Sequence, residues 1–180
     1  MVREISSGGV VVRQKDGEWW MAAIELPEGP PVELDLNKRT VRRKKNAVLC
    51  LPKGLVNPGE KALDAALREV REETGITASV ITKLADIKYV YVRSWGDKEK
   101  VFKIVSFYLL RYASGRIDHI SDDMRIEVAR AKWVKLEDAP KLLAYRGEKQ
   151  MAKQALEYVK SHAPELSSGS ESGSEPLPLL

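Results

Sequence analysis

The stretch GLVNPGEKALDAALREVREETGI, residues 54–76, constrains this chain more than any other. A turn-rich loop there runs into a helix with a crowded acidic side. Pro52, Gly54, Asn57, Pro58 and Gly59 punctuate the loop. Leu63, Ala66, Leu67, Val70 and Thr74 then recur at helical spacing, so at about 100° per residue they form one narrow stripe that can be buried. Gly75 suits the left-handed position that ends a helix. Glu69, Glu72 and Glu73 stand at i, i+3 and i+4 and project from one shoulder beside that stripe. Each like-charged neighbour pair costs a helix about 0.2–0.5 kcal/mol, and Arg68 and Arg71 offset this only in part. A cation among the three carboxylates reverses the sign of that cost, and a hard ion such as Mg²⁺ takes oxygen ligands of this kind. A solvated charged face is the plainer reading of the same run.

Length and composition bound the rest. A chain of 180 residues, 43% hydrophobic and 31% charged, is expected to form one soluble globular domain with a single core. No apolar run approaches the roughly 18 residues that cross a bilayer, and MVREISSGG lacks the apolar stretch of a secretory signal, so a cytoplasmic location is the default expectation. The single cysteine, Cys50, rules out an internal disulfide or a cysteine metal site and reads as a small apolar residue on a core strand. A net charge of +4 is too small to argue for nucleic-acid binding by itself.

The residues of the box carry a likeness to a known family. Gly54, five residues, Glu60, seven residues, then Arg68, Glu69, Val70, Arg71, Glu72, Glu73, Thr74, Gly75 and Ile76 resembles the complete motif of the Nudix hydrolases. The flanking strands and final helices are similar to that family in order and length over most of residues 1–163. The resemblance implies an α/β fold, an α/β/α sandwich with a mixed β-sheet and a loop-helix-loop catalytic box. It implies Mg²⁺- or Mn²⁺-dependent hydrolysis of a nucleoside diphosphate linked to another group. Carried over by position, Glu69, Glu72 and Glu73 are the expected metal ligands, one of them serving as or orienting the base. The Gly54 carbonyl completes the site, and Arg68 and Glu60 fix helix and loop. Family members often place a further carboxylate before a Trp-containing strand, which makes Glu127 the candidate here, with Asp122 and Asp123 behind it.

In chain order, residues 3–13 and 18–26 read as two strands joined by a turn at Lys15, Asp16 and Gly17. Gly8 and Gly9 inside the first signal a bulge or a close backbone approach. Trp19 and Trp20 must point to opposite faces, one to the core and the other to the surface or a base-stacking platform. PEGPPVELDLN forms a proline-rich connection to KRTVRRKKN, residues 38–46, in which six of nine residues are Lys or Arg. That run is either an edge strand protected against aggregation or a positive rim drawing polyphosphate to the acidic site, with Arg43 and Lys45 as candidate substrate contacts. AVLCLPKG, residues 47–54, reads as one buried strand leading into the box, and Lys53 is a candidate phosphate contact. Two long strands follow the box; Ile87, Tyr89 and Tyr91 share one face of the first, and Lys103, Val105 and Phe107 share one face of the second. Tyr89, Tyr91 and Lys103 either line a base or phosphate pocket or pack ordinarily across strands. A loop containing His119, a strand near Ala129–Lys135, a short helix after Asp138 and an amphipathic helix over 147–162 complete the domain. Residues 164–180, rich in Gly, Ser and Glu, are expected to be a flexible tail.

Within the family, the PKG approach to the box, the basic run, YVYV and KVFKIVSFYLL look similar to the hydrolases of diadenosine polyphosphates and diphosphoinositol polyphosphates. No proline interrupts Lys88–Tyr91, where one often accompanies ADP-ribose hydrolysis. The expected substrate is a dinucleoside polyphosphate, and the alternative is a damaged nucleoside triphosphate. A non-catalytic nucleotide- or RNA-binding domain of the same fold is the alternative of another class. The expected partner is therefore a small-molecule nucleotide rather than a nucleic acid or membrane, bound by a monomer or homodimer.

Overall fold

The computed structural model describes residues 1–28, 47–93, 96 and 98–167. Its strands are β1 (Val2–Lys15), β2 (Glu18–Glu25), β3 (Leu49–Cys50), β4 (Lys53–Leu55), β5 (Ile76–Val92), β6 (Lys100–Gly115) and β7 (Arg130–Lys135). Its helices are α1 (Ala62–Thr74), α2 (Ala139–Leu142), α3 (Arg146–Ser161) and α4 (Ala163–Ser167). The strands form one sheet in the order β3-β2-β1-β6-β5, with β4 added to β1 and β7 to β2. β1 and β6 run parallel while the other pairs are antiparallel, so the sheet is mixed. No helix among the described residues is long and apolar enough to cross a membrane.

Strand alternation sorts the core onto two faces. Val10, Val12, Val105, Phe107 and Leu109 point to one side and pack against Met151, Ala152, Ala155 and Val159 of α3. Val11, Ala22, Leu110 and Trp133 point to the other and pack against Val70 of α1, with Leu63 and Leu67 at the margin. The two helices thus cover opposite faces, the expected α/β/α sandwich. Trp19 packs with the α3-side cluster and Trp20 with the α1-side cluster. They do face opposite ways, but each leans on a core and neither stands free as a platform.

Two expectations change in detail. AVLCLPKG is not one strand: β3 and β4 are separated at Leu51 and Pro52. Proline has no N–H for a ladder, and its carbonyl instead accepts the Gly9 N–H at 3.1 Å. At the other end the packed body continues past 163, because α4 buries Leu166, and Arg111 Nη2 donates to the Leu166 carbonyl at 2.6 Å. The basic run 38–46, with Arg43 and Lys45, and the residues after 167 lie outside the described residues.

Candidate functional site

A pair of glycines makes room for the site. β4 pairs antiparallel with β1, placing Gly54 opposite Ser7 and Lys53 opposite Gly8. A Cβ on Gly8 would lie 2.5 Å from the Pro52 carbonyl oxygen and 2.6 Å from Lys53 Cβ, so only glycine admits the chain there. The register of β1 against β6 runs unbroken from Val2 to Val12, so these glycines mark a close approach rather than a bulge. Ser7 Oγ donates to the Ala62 carbonyl at 2.6 Å, tying the start of α1 to the same strand. The helix then ends where expected, at Gly75 with φ 81°.

Arg68 organises the loop and the acidic face together. Its Nε and Nη2 reach Glu60 Oε1 and Oε2 at 2.8 and 3.0 Å, and Nη2 also reaches the Leu55 carbonyl at 2.9 Å. Glu60 Oε2 accepts the Asn57 N–H at 2.9 Å. The hydrogen bonds from Arg68 and Asn57 hold the Glu60 carboxyl down at about 2, so the brace between loop and helix stays ionised. From its other edge Arg68 Nη1 donates to Glu69 Oε1 at 2.7 Å and Glu72 Oε2 at 3.1 Å.

The three box glutamates are not equivalent. Glu69 and Glu73, one turn apart, are 9% and 5% exposed, whereas the Glu72 side chain is 39% exposed. A Cβ on Gly54 would overlap the Glu69 carboxyl group, so the backbone of the loop lies directly against that acid. Burial raises Glu69 above the usual carboxylate range against the pull of Arg68, and the charges of Glu72 and Glu127 push the same way. Burial pushes Glu73 to about 8, opposed by the Lys53 N–H that its Oε2 accepts at 2.9 Å and reinforced by Glu69 and Glu127. Glu127, at the exposed end of the 3-10 turn Asp123–Ile126, therefore acts electrostatically on both buried acids. Asp122 acts instead on Arg125, and His119 is exposed with its carbonyl against Gly75.

As the side chains stand, no three Asp, Glu, His or Cys residues among those described converge on a common metal position. The Arg68 guanidinium occupies the place between Glu69 and Glu72. The donor set nonetheless fits a hard divalent ion: its donors are oxygens, two are desolvated acids whose ionisation the fold opposes, and Glu72 has room to turn.

A cavity of about 470 Å³ opens on the opposite, α3-covered face of the sheet. Leu26, Ile87, Val105, Phe107 and Tyr145 give it apolar walls, and Lys53, Tyr89 and Glu148 bring its polar groups. Lys53 Nζ pairs with Glu148 Oε1 at 2.8 Å, and Leu51 N–H donates to Glu148 Oε2 at 2.8 Å. Burial is the largest single influence and would lower the Lys53 ammonium, but the charge and hydrogen bond of Glu148, with the charges of Cys50 and Glu73, together outweigh it and the net shift is upward. Tyr91 and Lys103, though on the expected strands, do not line this cavity. Tyr91 Oη donates to Glu4 Oε2 at 2.9 Å, and Lys103 Nζ lies 3.8 Å from the same oxygen. Phe107 was visible in sequence only as a face-mate of Lys103. Tyr145 and Glu148 carried no signal beyond their place at the start of an amphipathic helix.

Comparison with known proteins gives the family and the fold. The NUDIX domain family matches residues 9–155. A putative mutator protein MutT4 of Mycobacterium tuberculosis is 35% identical over 158 residues, 88% of this chain but 56% of that protein, so the chain spans little more than half of that relative. An RNA pyrophosphohydrolase of Bartonella clarridgeiae is 33% identical over 149 residues, covering 75% of this chain and 78% of that one. Among solved structures, a Caenorhabditis elegans Ap4A hydrolase binary complex superposes with a TM-score of 0.57 at 21% identity, covering 88% of this chain and 98% of that one, a likeness of fold.

Proposed function

The chain belongs to the NUDIX family, and on that premise we propose that it is a divalent-metal-dependent pyrophosphohydrolase cleaving the phosphoanhydride bond of nucleoside diphosphate-linked substrates. The observation that carries this reading is the burial of Glu69 and Glu73 against the Gly54 turn, with Glu127 close enough to raise both. A merely structural helix gains nothing from two desolvated acids one turn apart, whereas a cation offsets their cost.

In this assignment Glu69, Glu72, Glu73 and Glu127, with the Gly54 carbonyl, would hold Mg²⁺ or Mn²⁺. A bound ion would supply positive charge to the anhydride oxygens and would lower the pKa of water. Glu60 and Arg68 lock the loop that presents Gly54, and one of the box glutamates receives the proton from the attacking water. Lys53 and Tyr89 meet the substrate at the cavity, where Lys53 offers a charge to phosphate and the ring of Tyr89 an aromatic face to a base. Arg43 and Lys45, on their charge in the sequence alone, are the further candidate contacts to polyphosphate.

We assign a dinucleoside polyphosphate as substrate, supported by the PKG approach, the long strands after the box and an apolar cavity within the usual range of small-molecule sites, roughly 300–1,000 Å³. The similarity to a putative 8-oxo-dGTP diphosphatase of Bacillus subtilis, 41% identical over 63 residues and 34% of this chain, supports a nucleoside triphosphate as second reading. A phosphate-release panel with Mg²⁺ and with Mn²⁺ tests both, using dinucleoside polyphosphates, nucleoside triphosphates, ADP-ribose, inositol pyrophosphates and RNA with a 5′ polyphosphate. Turnover that is lost in E72Q and E73Q without loss of fold supports an enzyme. Binding without turnover on any member identifies a recognition domain instead.

A further inference from the structure

We propose that Arg125 is a positioning residue for Glu127, a guanidinium clamp that fixes where the loop before β7 presents its carboxylate to the box helix. The inference rests on the placement of Glu127 in the site argued above. Arg125 Nη1 donates to Asp118 Oδ1 at 2.7 Å and to the Ala129 carbonyl at 3.1 Å, and Nη2 donates to the Asp118 carbonyl at 2.8 Å. Arg125 and Ala129 stand two residues before and two after Glu127, so one side chain closes the segment that carries it. A planar fork spans three such acceptors, whereas an ammonium does not.

Asp118 connects this clamp to the helix. Its N–H donates to the Thr74 carbonyl at 2.8 Å, immediately after Glu73, while its Oδ1 also accepts the Ala131 N–H at 2.8 Å. Asp118 adopts a left-handed φ of 69°, a conformation that Asp tolerates better than most residues and that lets it reach all of these groups. Two further anchors hold the segment from below: Val128 is fully buried, and the Ala129 N–H donates to the Glu25 carbonyl at 2.9 Å. Glu127 itself is exposed, so its position depends on the backbone around it. The last turn of α1, Asp118, Arg125 and the start of β7 thus form one continuous brace around a single carboxylate.

A double-mutant cycle on the intact chain tests this, with R125A, E127Q, the double variant and R125K. Mn²⁺ affinity by calorimetry and kcat and KM with saturating Mg²⁺ are the readouts, with thermal melts as the control for fold. R125A is expected to weaken Mn²⁺ binding by about 10- to 100-fold, the range found for groups that orient a metal ligand, and E127Q by at least as much, each lowering kcat with KM within about twofold. The double variant should be no worse than E127Q, and R125K should behave as R125A. Multiplying effects, or full rescue by R125K, overturn the clamp while leaving Glu127 in the site. An E127Q protein with unchanged Mn²⁺ affinity and kcat instead removes Glu127 from the site and takes the clamp with it.

Discussion

Lys53 and Glu148 join the two faces of the sheet. Glu148, 3% exposed at the start of α3, accepts both the Lys53 ammonium and the Leu51 N–H, while the Lys53 N–H goes to Glu73 of α1 on the other side. Three consecutive residues are thereby pinned between carboxylates from opposite helices, directly before Gly54. Replacing Glu148 by Ala leaves Leu51 N–H buried without its acceptor and Lys53 without its counter-charge. E148A is expected to lose about 3 kcal/mol of stability in urea denaturation, and E148Q, whose amide oxygen still serves Leu51, to lose less. Equal losses would show that the Leu51 hydrogen bond contributes little.

Gly54 tests the contact between loop and acid. A Cβ there overlaps the Glu69 carboxyl group, which lies at the end of a side chain that can swing aside. G54A is therefore expected to fold with a melting temperature within a few degrees of the parent but to weaken Mn²⁺ binding by about 10- to 100-fold. Calorimetric titration checks it, and unchanged affinity would mean that Glu69 need not sit against the loop.

The raised Glu73 makes a prediction about pH in the metal-free protein. Its folded value of about 8 lies above the ordinary glutamate value of 4.5, so over that interval the folded chain binds more protons than the unfolded chain. Stability is therefore fully present below the unfolded value and is lost as pH rises towards about 8, by a few kcal/mol at most. Melting curves between pH 5 and about 8 should show this fall, and E73Q should flatten it. Saturating Mg²⁺ should flatten it as well, since the ion takes over the role of the proton. A wild-type stability that stays level across the range would show that Glu73 ionises without penalty.

Much of this arrangement was legible because its causes are local. Glycine and proline mark the loop, a 3.6-residue period marks the buried stripe, and Glu60 in the loop and Arg68 on the helix stand at the spacing of one short motif. What was not legible depends on contacts between distant segments. Strand alternation puts Tyr89 and Tyr91 on one face but says nothing of position along it, and Glu4, paired with Lys103 across β1 and β6, draws Tyr91 away from the cavity. Glu148 looks like any polar residue of an amphipathic helix until Lys53, 95 positions earlier in the chain, is brought to 2.8 Å. The same holds for the break at Pro52, where a single missing N–H divides an apolar run that reads as one strand. The depth at which the box glutamates sit was hidden too, since helical spacing places Glu69 and Glu73 beside the stripe without fixing how far the loop folds over them.

The division between Tyr89 and Tyr91 gives the sharpest check on where the substrate lies. Tyr89 lines the cavity with Phe107 and Lys53, and its ring centroid lies 6.2 Å from that of Tyr91, which is hydrogen-bonded to Glu4 outside the cavity. An aromatic face stacked on a base is worth about 1–3 kcal/mol, so Y89A should raise KM by roughly 10-fold or more while kcat stays within about twofold. Y91A loses a hydrogen bond at the sheet margin and should leave both constants within about twofold. Steady-state kinetics on the best substrate of the phosphate-release panel measures the pair side by side. If Y91A raises KM and Y89A does not, the substrate base sits near Glu4 and Lys103, and the cavity between Lys53 and Phe107 belongs to some other ligand.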